Sequence, residues 1–529
     1  MDKIVIWDLL FIAVYVAGIL LFGMRYRHSD SKERYFLANR SMWWPAIGFS
    51  MFAGSISCST VVGRAGDAYA TGIAVFNYDL ISVFVMVFFA WFLLPLYIRS
   101  KIFTIPEFLE RRFGVGPRCY FSIVTILINI FLDAAGSLYA AALVLHLIFP
   151  GVDISWLVTA FGLIVAAYVI PGGLSAAFRV DVVQGIFILI GASLLTAVVA
   201  SKGGAAYIAD LWAQSDIMVK LVRPLSDSSV PWLGMIVGIP VLGFFFWGNN
   251  QQIVQRALAA NSVDQARKGV LFVGALTLIT LFVLVIPGVM AHRFLPGLPY
   301  GDMVYPQLVL TMLPSGIIGL LLAVLIASLT SSLSGLLNSV STLFTMDFYS
   351  RIRPHASGRE MVRVGRLASV AALVIAIFWA PEIGRRFDSL IKYYQEIISL
   401  VAPPIVAAFL LGIFWRRINL PGVFTGLMAG AALSGANLWY KISTGVSFFG
   451  DIHFLMTIPY YLFFSAAVMI VVSYCTPAPD YAKIGRYVWT AESFRAENAD
   501  LSHTVWWCNY RFWSYALLVA AIFLLVLFW

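Results

Sequence analysis

Three serines, Ser328, Ser331 and Ser332, fall at i, i+3 and i+4 in a long apolar stretch and so share one face of a helix. Ser334, Asn338, Ser339, Ser341 and Thr342 follow in the same stretch. Hard cations take oxygen ligands, and neutral hydroxyls and carbonyls without a carboxylate suit a monovalent ion better than calcium. A plainer purpose fits the same residues, because small hydroxyl side chains let helices approach and hydrogen-bond across their contact. Five ionisable residues, Arg64, Asp67, Asp79, Asp133 and Asp181, lie in other apolar stretches. A charge in hydrocarbon is expensive and is a functional candidate by default. Asp181 suits either an ion pathway or an anion at the positive end of a helix. Arg64 is expected to pair with Asp133 or Asp67, as a structural ion pair or as a clamp on a ligand.

The elements that must hold these groups are membrane helices. Of 529 residues, 61% are hydrophobic and 12% charged, whereas soluble domains run at roughly 45–50% and 25%. With a mean hydropathy of +0.89, the chain has too few charges to cover its apolar surface in water. The expected class is an all-α polytopic membrane protein. On a ruler of about 20 apolar residues per crossing, about fourteen spans emerge: 4–24, 42–72, 73–98, 118–149, 154–171, 180–201, 232–254, 269–291, 313–346, 364–380, 388–414, 421–440, 454–475 and 511–529.

One set of alternate loops carries 25 of the 35 Lys and Arg residues and the other nine, with Arg64 inside a span. Basic loops stay in the cytoplasm, which puts both termini outside. The net charge of +9 is thus a signature of topology rather than of a nucleic-acid partner. The 4–24 run has its basic residues behind it, unlike a cleavable signal. Trp43, Trp44, Trp156, Trp506 and Trp507 fit interfacial belts. Cys58, Cys119, Cys475 and Cys508 form neither a disulfide framework nor a zinc motif.

Two spans look interrupted. The second carries Gly54, Ser55, Ser57, Ser59 and Thr60 and then Gly63, Gly66 and Gly72; the seventh carries Pro240, Gly243 and then GNNQQ at 248–252. They lie five spans apart, and an offset of five reverses orientation in the bilayer. Broken helices at matching places of two inverted halves point to a transporter's midplane site. Metalloprotease, phosphate-loop and serine-hydrolase signatures are missing from the sequence, so an enzyme is not expected.

Short motifs run in order along the chain: ERYFLA at 33–38, TIPEFLERRF at 104–113, GGLSA at 172–176 with Asp181 and Gln184, and Trp247 with QRALAA at 255–260. Asn338 with FTMD at 344–347, YQE at 394–396 and LLGIFWR at 410–416 complete the set. Through them the chain resembles the sodium/solute symporter family over essentially its full length, close to the bacterial sodium/sugar (sodium/galactose-type) branch. The resemblance implies two inverted five-helix repeats, at 42–201 and 232–414, in the leucine-transporter architecture. The span at 4–24 precedes them and those at 421–529 follow. It also implies sodium-driven symport of a small solute by alternating access in the cell membrane, the bacterial inner membrane.

Residue by residue, the resemblance puts the sodium ion (Na+) on the carbonyls of Ala53, Ile56 and Ser328 and the hydroxyls of Ser331 and Ser332. A second sodium would use Asp181 and Ser334. Among solute contacts, Asp79 stands where the family has a glutamate, and Ser82 and Gln395 match. Ser55 replaces an asparagine, and Ser59 and Thr60 replace a Glu-Gln pair. Phe246, beside Trp247, takes the place of the inner-gate tyrosine, and Thr277 and Gly243 replace a lysine and an asparagine. Arg64 and Asp133 are additional charges that would read an acidic or amino-substituted solute. The expected cargo is a sugar or sugar derivative, with sodium and the lipid bilayer as the other partners. Rival readings are proton coupling through Asp79 or Asp181, to a sugar acid or other polar metabolite, and a membrane solute sensor. A channel is weaker, for want of a charge ring.

Overall fold

The computed structural model describes residues 5–26, 31–148, 151–298, 301–386, 390–502 and 505–529; within these, the side chains at 58–59, 147–148, 302, 384–386, 390–393, 396, 493, 496, 498–500 and 502 are left aside. The described chain is helical, with eleven stretches long and apolar enough to cross a membrane. Two of these, Thr60–Arg99 and Ile154–Ala213, have 40 and 60 residues, more than a single crossing needs. The five tryptophans expected at the interfaces are all exposed on the outside of the bundle.

Both expected interruptions are present. Helix Trp44–Ser55 stops at Ile56, whose φ of −97° and ψ of 89° are not helical, and Ser57 restarts helix Cys58–Thr71 by accepting the Thr60 N–H. Gly72, at φ 80°, then packs against Met218 too closely for any side chain and turns the chain toward helix Asn77–Phe88. The other interruption is at Asn250, which is extended (φ −70°, ψ 118°) and caps helix Gln251–Leu258 through the Gln252 N–H at 2.9 Å.

Ile154–Val199 is helical except at Gly173, where φ is 58°. Tyr168 donates to the carbonyl of Thr330, and Gln184 donates to the hydroxyl of the same threonine. Along a straight helix those two residues would stand ~24 Å apart. The chain therefore doubles back at Gly173, and 154–172 and 174–199 form a hairpin.

Helix Ile318–Leu343 lies at the centre and is buried on every face, as expected of a helix surrounded by others. Its close neighbours are glycine-dependent: a Cβ on Gly319 would strike the Asp8 backbone, and one on Gly191 would strike Val324. Buried carboxylates hold it at both ends. Asp8, on helix Ile6–Met24, accepts the N–H groups of Gly316 and Gly319, at 3.0 and 2.6 Å. Beyond the other end, Asp347 accepts from Arg118 at 2.5 Å and from the Thr104 hydroxyl at 2.7 Å. An N–H left buried without a partner costs about 1–3 kcal/mol. Asp8→Ala should therefore lower the melting temperature of the detergent-purified protein, and Asp8→Asn, which keeps one acceptor oxygen, should lower it less.

Candidate functional site

A cavity of about 270 Å³ opens where the two interruptions face helix 318–343. Ser55, Ile56, Ser57 and Thr60 line it from the first break, Phe246, Trp247 and Gln252 from the second, and Ser332 from the central helix. The last carbonyls of one helix and the first N–H groups of the next have no partners within their own helices. A break inside a membrane span is tolerated where such groups face a polar cavity.

Of the residues expected around sodium, Ile56 and Ser332 line this cavity, and Ala53, Ser328 and Ser331 lie on the same two helices. Ala53, Ser328 and Ser331 are fully buried, and Ile56 and Ser332 nearly so. Gln252 joins the two segments, its amide donating to the Gly54 carbonyl at 3.1 Å and to the Ser332 carbonyl at 3.3 Å. Ser331 donates its proton to Asp181 at 2.7 Å, which leaves its oxygen lone pairs to accept. The Ser332 hydroxyl is buried with no hydrogen-bond partner among the described residues. An unpaired buried hydroxyl is costly, and a cation at this place would relieve it.

Asp181 is fully buried and forms an ion pair with Arg256 at 2.7 Å, while Ser50 donates to it at 3.1 Å. Ser334, its expected companion at a second sodium, lies 3.4 Å from it. Arg256 falls by position in the loop between the spans expected at 232–254 and 269–291, yet it is completely buried. Its guanidinium fits between Gly54 and Gly335, where an added Cβ would come within 2.7 and 2.6 Å of it.

Elsewhere on the cavity wall, Arg64 pairs with Asp79 at 3.0 Å, in place of the Asp133 or Asp67 expected. The turn at Gly72 causes this difference, because it folds the start of helix 77–88 back onto helix 58–71. Arg64 also donates to the Val75 carbonyl and lies over the Tyr78 ring, 5.4 Å from its centroid. The second oxygen of Asp79 accepts from Thr280 at 3.3 Å. Asp133 is hydrogen-bonded to the Tyr394 hydroxyl, and its Oδ2 is buried without a hydrogen-bond partner among the described residues.

Asp67, Ser82, Gln395, Gly243 and Thr277 line the same cavity. The Ser82 hydroxyl is turned to the Tyr78 carbonyl at 2.7 Å and that of Ser55 to Phe52 at 2.8 Å. Phe246 and Trp247 meet edge to face, with centroids 5.1 Å apart. The side chain of Ser59 lies outside the described residues. Arg256, Gln252, Tyr78, Thr280 and Tyr394 were not singled out for the site in advance. Arg256, Gln252 and Tyr394 lie within the motifs at 255–260, 248–252 and 394–396, whereas Tyr78 and Thr280 carry no such signal.

The sodium:solute symporter family pattern matches residues 35–430. A sodium/mannose cotransporter from Bos taurus is 33% identical, over 92% of this chain and 89% of its own. A sodium/glucose cotransporter from Vibrio parahaemolyticus is 34% identical, over 80% and 83%. Among solved structures, a Na+-coupled sialic acid symporter in a substrate-bound outward-open state superposes with a TM-score of 0.80. It is 22% identical, over 90% of this chain and all but 1% of that one, a likeness of fold. Membrane helices broken around a cavity, this shared fold and the family pattern agree, and the chain is a multi-pass membrane protein belonging to the sodium:solute symporter family.

Proposed function

We propose that this protein imports a small polyhydroxylated solute, a sugar or sugar derivative, together with sodium. The observation that carries the reading is the oxygen set beside the first break. There the unpartnered Ser332 hydroxyl, the Ser331 hydroxyl turned to Asp181 and a helix end lie at one edge of the solute cavity. Sodium would be held by the carbonyls of Ala53, Ile56 and Ser328 and the hydroxyls of Ser331 and Ser332. Asp181, already balanced by Arg256, orients Ser331. One sodium entering down a potential of 100 mV supplies ~2.3 kcal/mol, enough to concentrate a neutral solute roughly fiftyfold.

The charges of the cavity bear on the cargo. Arg64 is engaged by Asp79, and Asp67 and Asp133 also line the cavity. A carboxylate solute would have to compete for Arg64 against Asp79 and would meet two further carboxyl groups. Hydroxyls or an amino group can instead donate to Asp79 and to the unpartnered oxygen of Asp133, with Gln395 and Ser82 beside them. Phe246 and Trp247 would close the inner side. The relatives named for glucose and mannose support a sugar. We also assign fourteen spans, inverted repeats at 42–201 and 232–414 and external termini, in a cell membrane of the bacterial inner type. The broken helices and the loop charge asymmetry support this.

Purified protein in proteoliposomes should take up sodium-22 when a transported sugar is supplied, and should fail to drive sugar uptake with a pH gradient in sodium-free buffer. Ser331→Ala and Ser332→Ala should raise the sodium concentration needed for half-maximal uptake by about tenfold each, on the scale of one lost charge-assisted contact. Unchanged sodium dependence would place the ion elsewhere. Asp133→Asn should alter the ranking of glucose, glucosamine and glucuronate as competitors while leaving sodium half-saturation in place; an unchanged ranking would remove Asp133 from the solute contacts.

A further inference from the structure

We infer that Gln252 is a positioning residue that couples the sodium site to the solute cavity; the inference rests on the sodium-symport reading. Gln252 lies just past the second break, its backbone N–H fixed by the side chain of Asn250 at 2.9 Å. Its side chain is 6% exposed and forms part of the cavity wall. A primary amide has two N–H donors, and here one nitrogen serves two carbonyls on different helices: Gly54 at 3.1 Å and Ser332 at 3.3 Å. Gly54 lies between Ala53 and Ile56, and Ser332 follows Ser331. The amide thus grips both ligand-bearing segments at positions next to, or within, the proposed cation shell.

The chemistry of the Gly54 carbonyl explains what the grip achieves. It belongs to the last turn of helix 44–55, where carbonyls have no intrahelical partner, and an unpartnered carbonyl can meet either an N–H or a cation. By taking this one, Gln252 keeps the end of helix 44–55 in register with helix 318–343 before the ion arrives. The Ser332 hydroxyl has no hydrogen-bond partner among the described residues, while its carbonyl is tied. The backbone carbonyl of Gln252 in turn accepts from Arg256, the partner of Asp181. One residue is therefore bonded to the first break, the central helix and the buried ion pair, and it borders the solute. Arranging ligands beforehand reduces the ordering cost when the ion binds.

The test titrates full-length, detergent-purified protein with sodium chloride at constant ionic strength, balanced by choline chloride, and reads the melting temperature without solute. Gln252→Met keeps the length of the side chain without its donors; Gln252→Leu is the second variant should the first not fold. The sodium concentration for half-maximal stabilisation should rise about tenfold, while the melting temperature in choline chloride changes by less than the sodium-induced shift of the wild type. A residue with a merely structural role would lower the melting temperature equally in both salts and leave the half-saturation point alone, which would overturn the inference. If the wild type gains no stability from sodium over choline, the symport reading itself fails and the inference with it. If the wild type responds and both variants titrate like it, only the role of Gln252 is lost.

Discussion

The buried Asp181–Arg256 pair is the constraint around which the rest of the site is arranged. Neither charge reaches solvent, and each would be prohibitively costly alone in such surroundings. Together they dictate their neighbourhood. Gly54 and Gly335 are glycines because the guanidinium occupies the space of a side chain. Ser50 and Ser331 are hydroxyl residues because the carboxylate needs donors. Helix 44–55, the hairpin arm 174–199, helix 251–258 and helix 318–343 all contribute to the pair or to its walls. It therefore fixes the mutual placement of the elements that carry the oxygen-rich site.

Within this arrangement the serine hydroxyls differ in their partners. Ser328 donates to the Leu325 carbonyl, and Ser334 to the Ser331 carbonyl, the local bonding common to small hydroxyl residues in membrane helices. The hydroxyls of Ser331 and Ser332 make no local bond: the first donates to Asp181, to which Ser334 also reaches at 3.4 Å, and the second has no hydrogen-bond partner among the described residues. Periodicity alone put all of them on one helix. The neighbouring charge separates Ser328, whose hydroxyl bonds within its own helix, from Ser331, whose hydroxyl is turned across to another.

Much of the architecture was legible because membrane helices announce themselves by composition, and their interruptions by glycine, hydroxyl residues and the GNNQQ run. The partners of charged residues were not legible. Arg64 finds Asp79 because of a turn at Gly72, and nothing in the spacing of residues 64 and 79 encodes that turn. Arg256 was hidden by a different effect: a counting rule for loop cations treats every arginine near a span end as solvated, and this one serves the core. The hairpin at Gly173 was readable as two spans, but its tie to Thr330 through Tyr168 and Gln184 depends on tertiary packing.

Asp8 and Asp347 grip the central serine-bearing helix from opposite ends, one through backbone N–H groups and the other through Arg118 and Thr104. A rod fastened at both extremities can neither slide along its axis nor swing freely. The split elements around it, by contrast, are interrupted at Ile56 and Asn250. The leading helix 6–24, which supplies Asp8, belongs instead to the support of the central helix.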